Sequence, residues 1–205
     1  GSDWRSSTFG VIFNRQGTQH WGRQAVGKAV ATSILDDMAW KAEGTLANPL
    51  YDSYGFDAGL AYDTYAIDPV DPADTLGRSY VPALPLGALV DQTITIDSRG
   101  ATNNTAFFYS GNYMDRLYIG LSLGIVGYRY KHTRVHQETT SDANIDLQEM
   151  RYREELSTTG NGVELKAGVI YRFNDRLRAG LALHTPAWMT MNDAYNTSMN
   201  TTFRT

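Results

Sequence analysis

The sequence predicts an all-β chain with a few loop helices, an antiparallel sheet that forms part of the wall of a transmembrane β-barrel. Three observations predict it. Apolar residues alternate with small or polar ones over long runs, the period of a strand with one greasy and one wet face. No apolar run approaches the ~20 residues that a membrane helix needs. Two links between alternating runs are only a few residues long while a third is long and polar, the loop asymmetry of outer-membrane barrels.

The clearest strand lies between Arg116 and Lys131. Leu117, Ile119, Leu121, Leu123 and Ile125 share one face, and Tyr118, Gly120, Ser122, Gly124, Val126, Tyr128 and Tyr130 share the other. A helix would scatter the five aliphatics around its circumference. The pattern recurs in Gly162–Phe173, where Val163, Leu165, Ala167, Val169, Tyr171 and Phe173 oppose Glu164, Lys166, Gly168, Ile170 and Arg172. It recurs again in Leu177–Leu183, opposite Arg178, Gly180, Ala182 and His184. Asn174-Asp175-Arg176 joins the last two strands as a tight turn, and Asn112-Tyr113-Met114-Asp115 joins Ala106–Gly111 to the strand from Arg116. Weaker strands are Thr8–Asn14, Gln92–Asp97 and Tyr195–Phe203.

Between the strands lie other patterns. Gln24 to Lys41 places Val26, Val30, Ile34 and Met38 four apart with Leu35 beside them, which predicts an amphipathic helix closed by Gly44. Residues 24–43 are therefore expected to be a helical loop insertion. Gly55–Ile67 suits a strand or a helix. Asp68–Pro85 carries Asp-Pro-Val-Asp-Pro and further prolines and is expected to be a loop. Residues 132–159 are expected to be a long polar loop with a short helical look at Ile145–Leu156. The whole of residues 1–205 is read as a single β-barrel domain, a piece of a longer protein cut at both ends, with Gly1-Ser2 as a cloning scar.

Composition narrows the function. Cysteine is absent, so disulfides and thiolate metal sites are excluded. The net charge of -4 argues against a nucleic-acid partner. Mean hydropathy is -0.37, which is compatible with barrel strands because alternation averages out as polar. A soluble β-sandwich also alternates. Run length favours the membrane, since soluble strands average ~5–6 residues and a tilted membrane strand needs ~9–11. So do Gly120, Ser122, Gly124, Gly168 and Gly180, which would weaken a solvent-facing strand but suit a wall packed against lumen side chains. Tyr113, Tyr118, Phe173, Tyr128, Tyr130 and Trp188 sit near strand ends, where aromatics favour the membrane boundary.

Several stretches resemble the FadL-type outer-membrane transporters, in their Bacteroidetes-like branch. They are Asn112-Tyr113-Met114-Asp115-Arg116-Leu117-Tyr118-Ile119-Gly120 with Leu123-Gly124, the run Gly160–Arg172, Phe56–Tyr65, and Leu177–Trp188 with its Thr185-Pro186. The resemblance covers most of the chain from about Gly55 onward. It implies a barrel of about fourteen strands with an N-terminal hatch. It also implies passive import of long-chain fatty acids or aromatic hydrocarbons across the bacterial outer membrane. No hatch segment is found, and the strands are too few to close such a barrel.

No catalytic constellation stands out, so an enzyme is not expected, and neither is a cofactor. His132 and His136 have a metal-pair spacing, but two solvated loop histidines are the plainer reading, with no third ligand nearby. Asp68, Asp71 and Asp74 fit no calcium-loop spacing and read as a solvated acidic turn. The expected partners are hydrophobic small molecules and outer-membrane lipid. The apolar stripe of Val26, Val30, Ile34, Leu35, Met38 and Trp40 is a candidate ligand groove, although packing of the helix on its own loop is the plainer reading. Lys28 or Lys41 near that stripe, and Lys166, Arg172 or Arg178 on the lumen face, are candidates for holding a fatty-acid carboxylate. Two other readings are a barrel acting as an adaptor in a secretion or surface-attachment complex, and a soluble β-sandwich binding module.

Overall fold

The computed structural model describes residues 3–71, 73 and 79–205. Strands carry most of the chain. In order they are β1 (Trp4–Val30), β2 (Ile67–Pro69), β3 (Tyr80–Pro82), β4 (Val90–Tyr113), β5 (Leu117–Thr139), β6 (Leu147–Arg172), β7 (Arg178–His184) and β8 (Trp188–Phe203). Three helices, α1 (Ile34–Ala42), α2 (Ala47–Tyr54) and α3 (Ala58–Asp63), lie between β1 and β2. The main sheet runs β1-β4-β5-β6-β7, with β8 also pairing β6, and β2 and β3 form a separate antiparallel hairpin. Among the described residues β1 pairs only β4, and β7 and β8 pair only β6, so the sheet is open and no barrel closes.

Each tight turn has a local cause. Met114 and Asp115 both take left-handed backbone, at φ 52° and 55°, the mirror-image geometry that matches the twist of paired strands. The Asn112 side chain supports it, donating to Asp115 Oδ1 at 2.8 Å and accepting from the Asp115 N–H at 3.1 Å. In the β6–β7 turn, Asn174 Oδ1 accepts from the N–H groups of Arg176 and Leu177, both at 2.9 Å. The pairing then runs from Arg172↔Arg178 to Lys166↔His184. Pro186, which has no N–H, follows β7. There the Thr185 hydroxyl accepts from the Leu165 N–H at 3.0 Å, replacing a backbone partner.

Two expected boundaries are corrected. Residues 132–159 are not a long loop: β5 continues to Thr139, β6 begins at Leu147, and a seven-residue link separates them. The polar residues there alternate well enough to pair with neighbours, and the helical look at Ile145–Leu156 gives way to β6. The expected helix over Gln24–Lys41 is cut to Ile34–Ala42, because Gln24–Val30 pairs with β4 as the end of β1. Ser33 caps α1, accepting from Leu35 N–H while Asp36 accepts from Ser33 N–H. Gly44, at φ 79°, follows the last turn as expected. Gly55–Ile67 resolves into α3 and the start of β2.

The chain divides into two compact units. The first comprises Gly1–His20, Arg99–Lys131 and Ser157–Asp193 and is built of strand and turn. The second comprises Trp21–Ser98, His132–Leu156 and Ala194–Thr205 and contains the three helices. The hydrophobic core belongs to the second unit: Leu35, Met38, Ala42, Leu50, Ala58, Ala61, Ile67, Leu147 and Met150 are buried together there.

Candidate functional site

In the first unit the two faces of the sheet differ most on β5 and in the middle of β6, while β7 is exposed on both. Leu121 is 58% exposed and Leu183 66%, and Leu123, Ile125, Val163, Leu165, Val169 and Leu181 are exposed with them. The intervening residues point the other way: Gly124 and Val126 are buried and Ser122 is half-buried. Phe9 of β1 and Phe107 and Tyr109 of β4 join Leu121, Leu123 and Leu183 around an apolar surface groove of about 490 Å³. The aliphatic face is thus continuous across five strands, from β1 to β7.

The opposite face carries a polar cluster centred on Glu164, which is 6% exposed. Its carboxylate accepts from Asn104 Nδ2 at 2.6 Å and pairs with Lys166 Nζ at 2.7 Å and His184 Nε2 at 2.9 Å. The cluster ties β4, β6 and β7 together. Gly124 of β5 makes room for it, since a Cβ there would lie 2.7 Å from Glu164 Cγ. A buried carboxylate persists only with such partners, so this cluster braces the sheet rather than presenting a free charge.

The candidate carboxylate-holding residues are not gathered. Lys166 is engaged by Glu164, and Arg172 by Asp175 in the β6–β7 turn. Arg178 lies opposite Arg172 in register. Lys166 and the Arg172/Arg178 pair are six residues apart along β6, about 20 Å at strand rise. Lys28 pairs with Asp91 at 2.7 Å, and Lys41 with Asp37 at 2.9 Å and Asp57 at 3.2 Å.

The proposed helical stripe is also dispersed. Val26 and Val30 sit on β1, where Val26 is exposed. Leu35 and Met38 are buried in the core and Ile34 packs against it. Trp40 is 75% exposed, on the other side of α1. A nine-residue helix has one apolar face, and core packing consumes it.

The second unit holds a cluster that sequence spacing did not reveal. Glu138, 1% exposed, accepts from the Ile34 N–H at 2.9 Å, Gln92 Nε2 at 3.0 Å and the Ser33 hydroxyl, and pairs with His136 Nε2 at 2.9 Å. Burial pushes the Glu138 carboxyl up, but the hydrogen bonds from His136, Ser33 and the Ile34 N–H outweigh it and leave it below its ordinary value. His136 is buried and His132 binds the Ser98 hydroxyl at 2.7 Å, so neither is a solvated loop histidine. The alternation of β5, carried on past Lys131, is the signal that would have placed both on a strand. No group of metal-binding side chains occurs among the described residues, and Asp74 of the acidic turn lies outside them.

A second surface feature of the first unit also escaped sequence reasoning. A cleft of about 450 Å³ is lined by Arg15, His20, Arg99, Arg129 and Lys131 with Tyr130 and several hydroxyl and amide side chains. A comparison with family models finds no match to this chain, and neither do comparisons with curated proteins and with solved structures.

Proposed function

We propose that the first unit is wall of a bacterial outer-membrane β-barrel that passes small hydrophobic molecules, long-chain fatty acids or aromatic hydrocarbons, by diffusion. The observation that carries this reading is the uncovered aliphatic face of β5, β6 and β7. Broad apolar surface of this kind is rare on soluble monomers and marks contact with lipid or a partner. The rows Leu117–Ile125 and Val163–Phe173 run about 27 and 33 Å along their strands. At a tilt of ~40° they cover roughly 20–25 Å, the height of an outer-membrane apolar band. The alternative, a soluble β-sandwich, requires a second sheet packed over these rows.

The test has two steps. Full-length protein is expected to float with phospholipid vesicles and to require detergent for monodispersity; a monodisperse, detergent-free particle would defeat the membrane reading. Delipidated protein is then expected to bind labelled oleate. Failure to bind, in protein that does float, would remove transport while leaving the wall and favouring an adaptor.

A further inference from the structure

The cleft lined by Arg15, Arg99, Arg129 and Lys131 lies on the same face of the sheet as the aliphatic rows. On β5 the exposed residues Leu121, Leu123 and Ile125 share their parity with Arg129 and Lys131, while Ser122, Gly124, Val126, Tyr128 and Tyr130 between them are half-buried or buried. On β1, Phe9 meets Leu121 and Leu123 around the apolar groove, and Arg15, further along the strand, lines the cleft with Arg99 and Arg129. On β4, Arg99 has the parity of the exposed Phe107 and Tyr109. Two adjacent strands, β4 and β5, thus change from apolar to cationic along this one face, and β1 adds Arg15 to the same cleft. Ile125 and Arg129 are four residues apart, about 13 Å along the strand.

No carboxylate lines the cleft among the described residues, and its remaining wall includes the hydroxyls of Ser157, Thr158 and Thr159. Arg99 and Lys131 have interactions of their own. Arg15 and Arg129 form no ion pair among the described residues, which leaves two guanidiniums for a ligand. A guanidinium matches phosphate oxygens with two parallel hydrogen bonds. An amphiphile is the ligand that satisfies both features, with its acyl chains on the aliphatic rows and its anion in the cleft.

We propose that this cleft binds the anionic phosphate headgroup of a membrane lipid, seating the lipid against the outside of the sheet. The inference rests on the membrane reading of the first unit. It adds a defined lipid contact that transport alone does not require.

The test presents the full chain, in a neutral detergent, with dioleoyl phosphatidic acid or dioleoyl phosphatidylcholine, and reads bound lipid by native mass spectrometry. Phosphatidic acid is expected to bind about tenfold tighter or more, as charge-assisted hydrogen bonds to two guanidiniums would give. The advantage is expected to vanish in the double variant Arg15→Ala/Arg129→Ala and to survive largely in Arg15→Lys/Arg129→Lys, which keeps the charge and controls for folding. Equal binding of the two lipids by the wild type overturns the headgroup site and leaves the membrane reading standing. So does unchanged preference in the alanine variant. Displacement of phosphatidic acid by an equal concentration of inorganic phosphate makes the cleft a free-anion site and overturns the lipid assignment. Protein that binds neither lipid and stays monodisperse without detergent defeats the membrane reading, and the headgroup site falls with it.

Discussion

Gly124 and Glu164 occupy one space on neighbouring strands: a Cβ on Gly124 would stand 2.7 Å from Glu164 Cγ and 2.9 Å from Glu164 Oε1. The carboxylate is held there by Asn104, Lys166 and His184, so it has little freedom to step aside. Gly124→Ala is therefore expected to destabilise the folded chain by about 1–3 kcal/mol, the usual cost of overpacking. Gly120→Ala, where nothing lies within 4 Å of the added carbon, is the control and is expected to be close to neutral. Urea denaturation of the two variants side by side checks the difference.

Glu164→Ala removes the centre of the same cluster. Lys166 and His184 are partly exposed and would rehydrate, but Asn104 is buried and would lose its hydrogen bond. The expected loss is about 1–3 kcal/mol, the cost of an unmet buried donor. Lys166→Ala should cost less, since Asn104 and His184 still hold the carboxylate. Equal losses in the two variants would contradict the bracing role.

Acid should loosen the second unit through Glu138. Its folded carboxyl titrates below its ordinary value of 4.5, so ionisation favours the folded state. That contribution is complete above the unfolded value. It is lost as pH falls through 4.5 and on past the lower folded value. Hydrogen exchange at the start of α1, whose Ser33 and Ile34 donate to Glu138, is expected to quicken over that window. In Glu138→Gln the pH dependence of that exchange is expected to flatten, and a profile unchanged by the substitution would exclude Glu138 as its source.

Leu35 and Trp40 separate core packing from ligand contact on α1. Leu35 is fully buried, so Leu35→Ala is expected to cost about 2–5 kcal/mol. Trp40 is largely exposed, and Trp40→Ala is expected to stay within about 0.5 kcal/mol. Thermal or chemical melts give both numbers. Oleate binding that falls in Trp40→Ala without any change in stability would restore a ligand role to this helix.

Leu121→Arg places a charge in the middle of the aliphatic face. In a lipid-facing wall it is expected to cost about 2–4 kcal/mol of folding into vesicles. In water the same exposed position would tolerate arginine with little change. Comparing the variant's yield of vesicle-inserted protein with its stability in detergent micelles distinguishes the two environments.

Local alternation and turn chemistry were legible in the chain itself. The odd-numbered aliphatics of 117–125, the Asn112 and Asn174 turns and the glycine after α1 follow from side-chain period and backbone preference, which depend only on near neighbours. Those same periods determined that one face of the sheet would be apolar. Tertiary pairing decided how far each strand runs: Gln24–Val30 and 132–139 become strand because β4 and β6 offer hydrogen-bond partners, whatever their local propensity. It also decided which polar groups meet. Glu138 reaches Ser33 across 105 residues and Arg15 shares a cleft with Arg129. Such contacts are set by strand order and register, which no local window encodes.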